Sequence, residues 1–104
     1  MRNSLNRMRL TDEQLTIIRT YFAARPVKRA WLFGSYVRGK ADEQSDVDLL
    51  VDLDYSQHIG WKIGGWLMNL QQLLGRSVDL VPDGSLYPNL RPFVDADKLL
   101  IYEK

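Results

Sequence analysis

The sequence predicts an α/β fold of the α+β kind, a small mixed β-sheet of about four strands with helices packed on it. Apolar residues recur at helical spacing in two stretches, 12–24 and 59–74. Around them lie short runs rich in Val, Leu and Ile, which Gly and Pro cut off. The order that follows is helix, strand, short helix, strand, helix, strand, short helix, strand, with no internal repeat. A chain of 104 residues suffices for one core and not two, so a single domain over 1–104 is expected, with residues 1–10 flexible.

Each element has a local cause. Thr11 and Gln14 form a capping box in which Thr11 is the N-cap and Gln14 reaches back, so the first helix starts here. Leu15, Ile18, Tyr21 and Phe22 give it an inward face, and Pro26 ends it near Ala24. Val27 to Phe33 reads as a buried strand that Gly34-Ser35 turns sharply, and a short helix is expected over 36–38. Residues 40–45 are polar and loop-like. Val47, Leu49, Leu50, Val51 and Leu53 make the clearest strand. Ile63, Trp66, Leu67, Leu70, Leu73 and Leu74 hold the 3.6 period of a helix over 59–74 that Gly75 stops, with Gly64 and Gly65 as weak points. A third strand is expected over 77–81, ended by Pro82, and a fourth over 99–102 after an irregular stretch.

Composition excludes several classes. Hydrophobic residues at 45% and charged residues at 26% match an ordinary globular protein rather than a disordered or membrane one. Fourteen Lys and Arg against 13 Asp and Glu leave +1, so no overall field favours wrapping nucleic acid, which is not expected as a direct partner. The absence of cysteine removes disulfides and thiolate zinc sites and fits a cytoplasmic location. Arg2, Arg7 and Arg9 are followed by no apolar segment, and no run approaches the ~20 apolar residues of a membrane span. Neither targeting nor a membrane partner is expected.

The chemistry concentrates between Gly34 and Asp48. Side chains alternate along a strand, so Asp46 and Asp48 point to one face while Val47 points into the core. Two carboxylates so close repel and raise each other's pKa unless a cation neutralises them. Magnesium takes one or two protein carboxylates and completes its shell with water and phosphate oxygens, so such a pair implies a triphosphate ligand. Gly34-Ser35 stands where a strand turns toward a helix, and amides there, with the Ser35 hydroxyl, can donate to phosphate while Gly34 admits a close approach. Arg38, ahead of Lys40, is the candidate to offset polyphosphate charge. Asp79, between Val78 and Leu80, needs a partner. If its strand neighbours that of Asp46 and Asp48, it can bind a second metal or take the proton of an attacking hydroxyl.

Gly-Ser, ten residues, Asp-x-Asp and a later strand Asp together resemble the DNA polymerase beta nucleotidyltransferase superfamily, and within it the minimal nucleotidyltransferase (MNT) group. The likeness in motif and spacing runs from Trp31 to Val51 and on to Val81. It implies that Asp46 and Asp48 bind two magnesium ions, that Asp79 is the third catalytic acid, and that Gly34 and Ser35 hold the triphosphate of ATP. It also implies an antitoxin partnered with a HEPN-domain ribonuclease toxin, one whose tyrosine receives AMP, while the sequence leaves open whether the chain works alone, as a homodimer or in a hetero-oligomer. Two rival readings accompany it. One is a binding-only antitoxin that neutralises by occlusion, and the other is an enzyme that nucleotidylates a small hydroxylated molecule.

Other residues receive blander assignments. Asp42 and Glu43 read as solvated loop charges, and Asp52 and Asp54 as the frayed end of a strand. His58, the single histidine, reads as a loop residue and not a zinc ligand. Trp66 follows the core pattern, whereas Trp61, Tyr55 and Tyr87 are candidates for an aromatic patch that meets a protein partner.

Overall fold

The structure, a computed structural model, describes residues 10–34 and 46–104. The flexible start expected for residues 1–10 therefore lies outside the described residues except at Leu10, which is buried. Its burial has a local reason. Helix α1, Asp12–Ala23, carries the expected capping box, with Gln14 N donating to Thr11 Oγ1 and Thr11 N to Gln14 Oε1, both at 3.0 Å. Leu10 just before the cap and Leu15 in the first turn are both core residues, the arrangement of a hydrophobic staple. The short helix over 36–38 and the loop over 40–45 also fall outside the described residues.

Strands β1 (Val27–Phe33), β2 (Val47–Leu53), β3 (Val78–Pro82) and β4 (Leu99–Glu103) form one sheet in the order β3-β2-β1-β4. The β1–β2 and β1–β4 pairs are antiparallel and the β2–β3 pair is parallel, so the sheet is mixed as predicted. Helix α2, Lys62–Leu74, makes the crossover between the parallel strands. It starts three residues later than the periodicity suggested because Gly60 takes φ +51, a left-handed turn that parts Ile59 from the helix. Strand β3 is displaced by one residue to include Pro82, which an edge strand tolerates.

Helices α1 and α2 cover one face of the sheet. There Val47, Leu49 and Val51 of β2 meet Ala30 and Leu32 of β1 and the buried Ile18, Phe22, Leu70 and Leu74 of the helices. Burying each Leu or Val contributes about 1.5–3 kcal/mol, so this face carries most of the stability. Leu73, although on the helical period, is exposed.

The opposite face is ordered in rungs by strand register. Trp31, Leu50 and Val81 lie abreast in the middle, and Leu50 is fully buried although outside the main core cluster. Residues 83–98 join the sheet's two outer strands through a 3-10 turn, Asp83–Ser85, and helix α3, Arg91–Asp97. Arg91 pairs with Asp83 and Asp95, and Lys98 pairs with Asp95 while lying over the Trp31 ring at 4.5 Å. The polar rung joins Arg29 to Asp52 at 3.1 Å and to Glu103 at 2.9 Å. Asp52 is thus an ordered strand residue and not a frayed end, because Arg29 opposite supplies its counter-charge. Asp54 ends the strand and accepts hydrogen bonds from the Ser56 amide and hydroxyl.

Candidate active site

Beyond the apolar rung, toward the start of β2, lies a row of different chemistry. Register sets Phe33, Asp48 and Asp79 abreast on β1, β2 and β3. Because Val47 and Leu49 point into the core, Asp48 points to the face away from α1 and α2. Asp79, between buried Val78 and Leu80, does the same. The Val47 amide donates to the Ser77 carbonyl at 2.9 Å, which holds the starts of β2 and β3 together and sets the register. Asp46 immediately precedes β2 and is exposed.

Strand adjacency therefore brings Asp79 to Asp48. Its neighbours Val78 and Leu80 are buried as expected, and Asp79 itself is exposed on the edge strand β3. Asp48 is half-buried, and burial, followed by repulsion from Asp79 and then Asp46, pushes its carboxyl up to about 6. A position that desolvates a carboxylate beside two more acids is unfavourable for the empty protein and suited to receiving positive charge.

Gly34 has a role that the sequence did not disclose. It follows β1 with φ +78, a conformation that disfavours side chains. A Cβ at this position would collide with Oδ2 of Asp48. The glycine that was read as room for phosphate thus also makes room for the carboxylate opposite. Phe33 was read only as the end of a strand, yet it is the partner of Asp48 across β1–β2. The signal was available, since Leu32 as a core residue turns Phe33 to the acidic side. Ser35, Arg38 and Lys40 lie outside the described residues, as do Asp42 and Glu43.

Among the described residues, no group of three or more His, Cys, Asp or Glu is arranged to hold a metal ion. The donor chemistry nevertheless fits magnesium. The acids offer hard carboxylate oxygens, and burial of Asp48 beside Asp79 and Asp46 disfavours its charged form, a cost that a divalent cation offsets.

A model of the nucleotidyltransferase domain matches residues 12–102, a span that runs from the start of α1 through all but the last residue of β4. The chain belongs to the nucleotidyltransferase family. Over 60 residues the enzyme is 47% identical to the protein adenylyltransferase MntA of Thermococcus cleftensis, a stretch that covers 58% of this chain and 60% of that one. A solved minimal nucleotidyltransferase is similar at TM-score 0.71 and 31% identity, covering 84% of this chain and 88% of the other. A toxin–antitoxin complex solved with AMP-PNP contains a chain with the same fold, at TM-score 0.70 and 23% identity over 90% of this chain and 75% of that one. The nucleotidyltransferase is thus of the minimal type, a four-stranded mixed sheet with three described helices.

The remaining candidates sort themselves. His58 is an exposed loop residue, and Trp66 is buried. Tyr55, Trp61 and Tyr87 are all exposed, but Trp61 stands over a hollow beside Tyr21 and Asn69, whereas the Tyr55 hydroxyl sits by Gly84. No described helix is long and apolar enough to cross a membrane.

Proposed function

We propose that this nucleotidyltransferase moves AMP from ATP to a hydroxyl of a partner toxin and so acts as an antitoxin in the cytoplasm, where ATP is abundant. The observation that carries this reading is the juxtaposition of Asp48 and Asp79 on adjacent parallel strands, with Asp46 beside them and the Gly34 turn directly over Asp48. The relatives supply the biological direction. One is named a protein adenylyltransferase, and a fold neighbour is the chain of a toxin–antitoxin complex with an ATP analogue. The acceptor this reading favours is a tyrosine of a HEPN-type toxin.

The residues divide the work. Gly34, with Ser35 after it, holds the triphosphate against the acids, and Arg38 offsets its charge. The acceptor oxygen attacks the α-phosphorus in line. The new P–O bond forms as the bond to the β-phosphate oxygen breaks, and pyrophosphate leaves. In this reading Asp79, exposed at the sheet edge, accepts the hydroxyl proton while Asp48 stays fixed by its strand. Asp46, Asp48 and Asp79 would hold magnesium, which when bound supplies charge neutralisation to the triphosphate and the leaving pyrophosphate. Most of the remaining catalysis is positioning.

The test is intact mass spectrometry of a co-expressed HEPN partner incubated with ATP, magnesium and either this protein or its Asp46→Ala variant. A gain of whole AMP units that requires the unmutated protein is the expected result, with tryptic mapping to a tyrosine. An unmodified partner, with nucleotide binding verified separately, would replace transfer by occlusion or by a small-molecule acceptor.

A further inference from the structure

The helical layer, on the opposite side of the sheet from the acids, has a surface that the reaction does not use. Here Trp61 is 93% exposed, Met68 67% and Leu73 53%, an unusual amount of large apolar surface for two short helices. The surface is concave. One hollow of about 460 Å³ is lined by Tyr21, Arg25, Trp61, Lys62, Trp66 and Asn69. A second, of about 430 Å³, shares Tyr21 and Arg25 with the first and continues past Ile17, Thr20, Ala24 and Leu73. Together they make a trough along the seam between α1 and α2.

Its floor is fixed in advance. Asn69 Nδ2 donates to the Tyr21 hydroxyl at 2.7 Å, and the Arg25 guanidinium lies over the Tyr21 ring at 3.4 Å while donating to the Tyr21 carbonyl. A partner meeting this surface would lose little entropy in ordering it. Charge gives the trough a direction. Among the described residues no carboxylate lines either hollow, whereas Arg25 lines both and Lys62 lines the first. Although the chain holds 13 Asp and Glu, none lies between residues 55 and 78.

Gly64 and Gly65 add a further observation. Each costs helix α2 about 1 kcal/mol relative to alanine. A Cβ at either position would meet none of the described residues within 4 Å, so no crowding among them calls for glycine there. Gly65 lines the first hollow, where close approach by another backbone is a use that fits it.

We propose that the α1–α2 trough is a docking groove for an amphipathic helix of a protein partner, whose apolar stripe is edged by carboxylates. Trp61 is the anchor, Leu73 extends the apolar contact, and Arg25 and Lys62 meet the acidic edge. A second copy of this chain is a poorer occupant, because two such faces would bring like charges together. A bilayer is flat where this surface is hollow. The docking face and the acidic face lie on opposite sides of the sheet, so a partner can be held while the site remains open. The inference does not depend on adenylyl transfer.

The experiment titrates the full chain with a fluorescein-labelled helical peptide bearing a leucine stripe edged by glutamates. A control peptide has the glutamates replaced by lysines. Anisotropy should show the glutamate peptide binding at least tenfold more tightly, with a blue shift of tryptophan emission. Trp61→Ala should weaken it at least tenfold, and Lys62→Glu should invert the preference between the peptides, while circular dichroism confirms that both variants fold. Absence of binding, equal binding of the two peptides, or binding indifferent to Trp61→Ala would each overturn the proposal. So would dimerisation in sedimentation velocity that Trp61→Ala abolishes, which would assign the face to a second copy. Tighter binding to phosphatidylglycerol vesicles than to either peptide would assign it to a membrane.

Discussion

The two faces of strand β2 are built from alternate residues of one seven-residue segment and have opposite properties. Val47, Leu49 and Val51 face α1 and α2 and are fully buried in a dry apolar core. Asp48 and Asp52 face the other way, and neither is buried. Asp48 keeps its repulsion from Asp79 and Asp46, whereas Asp52 is neutralised by Arg29 a few residues along the same face. The strand's period of two thus lets stability and chemistry be adjusted separately, since a change on one face leaves the other's neighbours in place. Of the two acids on this face, the one with a protein counter-charge joins strands, and the one left facing other acids belongs to the candidate site.

This division is open to direct attack. The largest effect is expected from Asp48→Asn, which keeps shape and fold but should lower transfer by on the order of 10³-fold. Transfer within tenfold of the unmutated protein in a radiolabelled ATP assay would remove Asp48 from the chemistry. On the core face, Leu49→Ala should cost about 3 kcal/mol in urea unfolding while activity per folded molecule is retained. Loss of activity without loss of stability there would mean that the faces are not separable.

Gly34→Ala sharpens the boundary between them. The added methyl meets the Asp48 carboxylate and must also adopt φ +78. Transfer should fall roughly 10- to 100-fold, with about 1–2 kcal/mol lost in thermal unfolding. A variant that unfolds earlier yet transfers normally would show that the glycine serves only the turn.

The smallest effect concerns protonation. The folded Asp48 carboxyl lies at about 6 against an ordinary value of 3.8, so the folded state binds this proton more tightly than the unfolded chain does. Without magnesium, its contribution is most favourable below about 3.8 and is lost as pH rises toward 6. Asp48→Asn, which cannot ionise, should therefore be more stable than the unmutated protein at pH 7 in EDTA by about 1 kcal/mol, after discounting for solvent screening. The difference should shrink at pH 4. Equal melting curves at both pH values would mean that the acids do not strain the empty site.

Much of this was legible in the chain itself, for reasons of short range. The Thr11 and Gln14 capping box, the left-handed stop at Gly75 and the alternation along β2 depend on neighbours within a few residues, and each is found where local chemistry puts it. The family likeness, too, rested on the spacing from Gly34 to Asp48. By contrast, the start of α2 was misjudged because Ile59 satisfies the helical period yet is buried from the loop that Gly60 turns. Leu73 shows the same limit, since periodicity reports which side of a helix is apolar and not whether anything covers it.

What the sequence determined by itself was the candidate acids and the strands that carry Asp48 and Asp79, because strand alternation and turn chemistry are local properties of the backbone. Only the tertiary structure decided that β3 lies parallel to β2 with Asp79 beside Asp48, and that Gly34 stands against the Asp48 carboxylate. It also decided that Trp61 faces solvent over a trough. These are pairings between residues far apart in the chain. Their geometry is set by sheet register and by the packing of α2 on the core, which no single segment encodes.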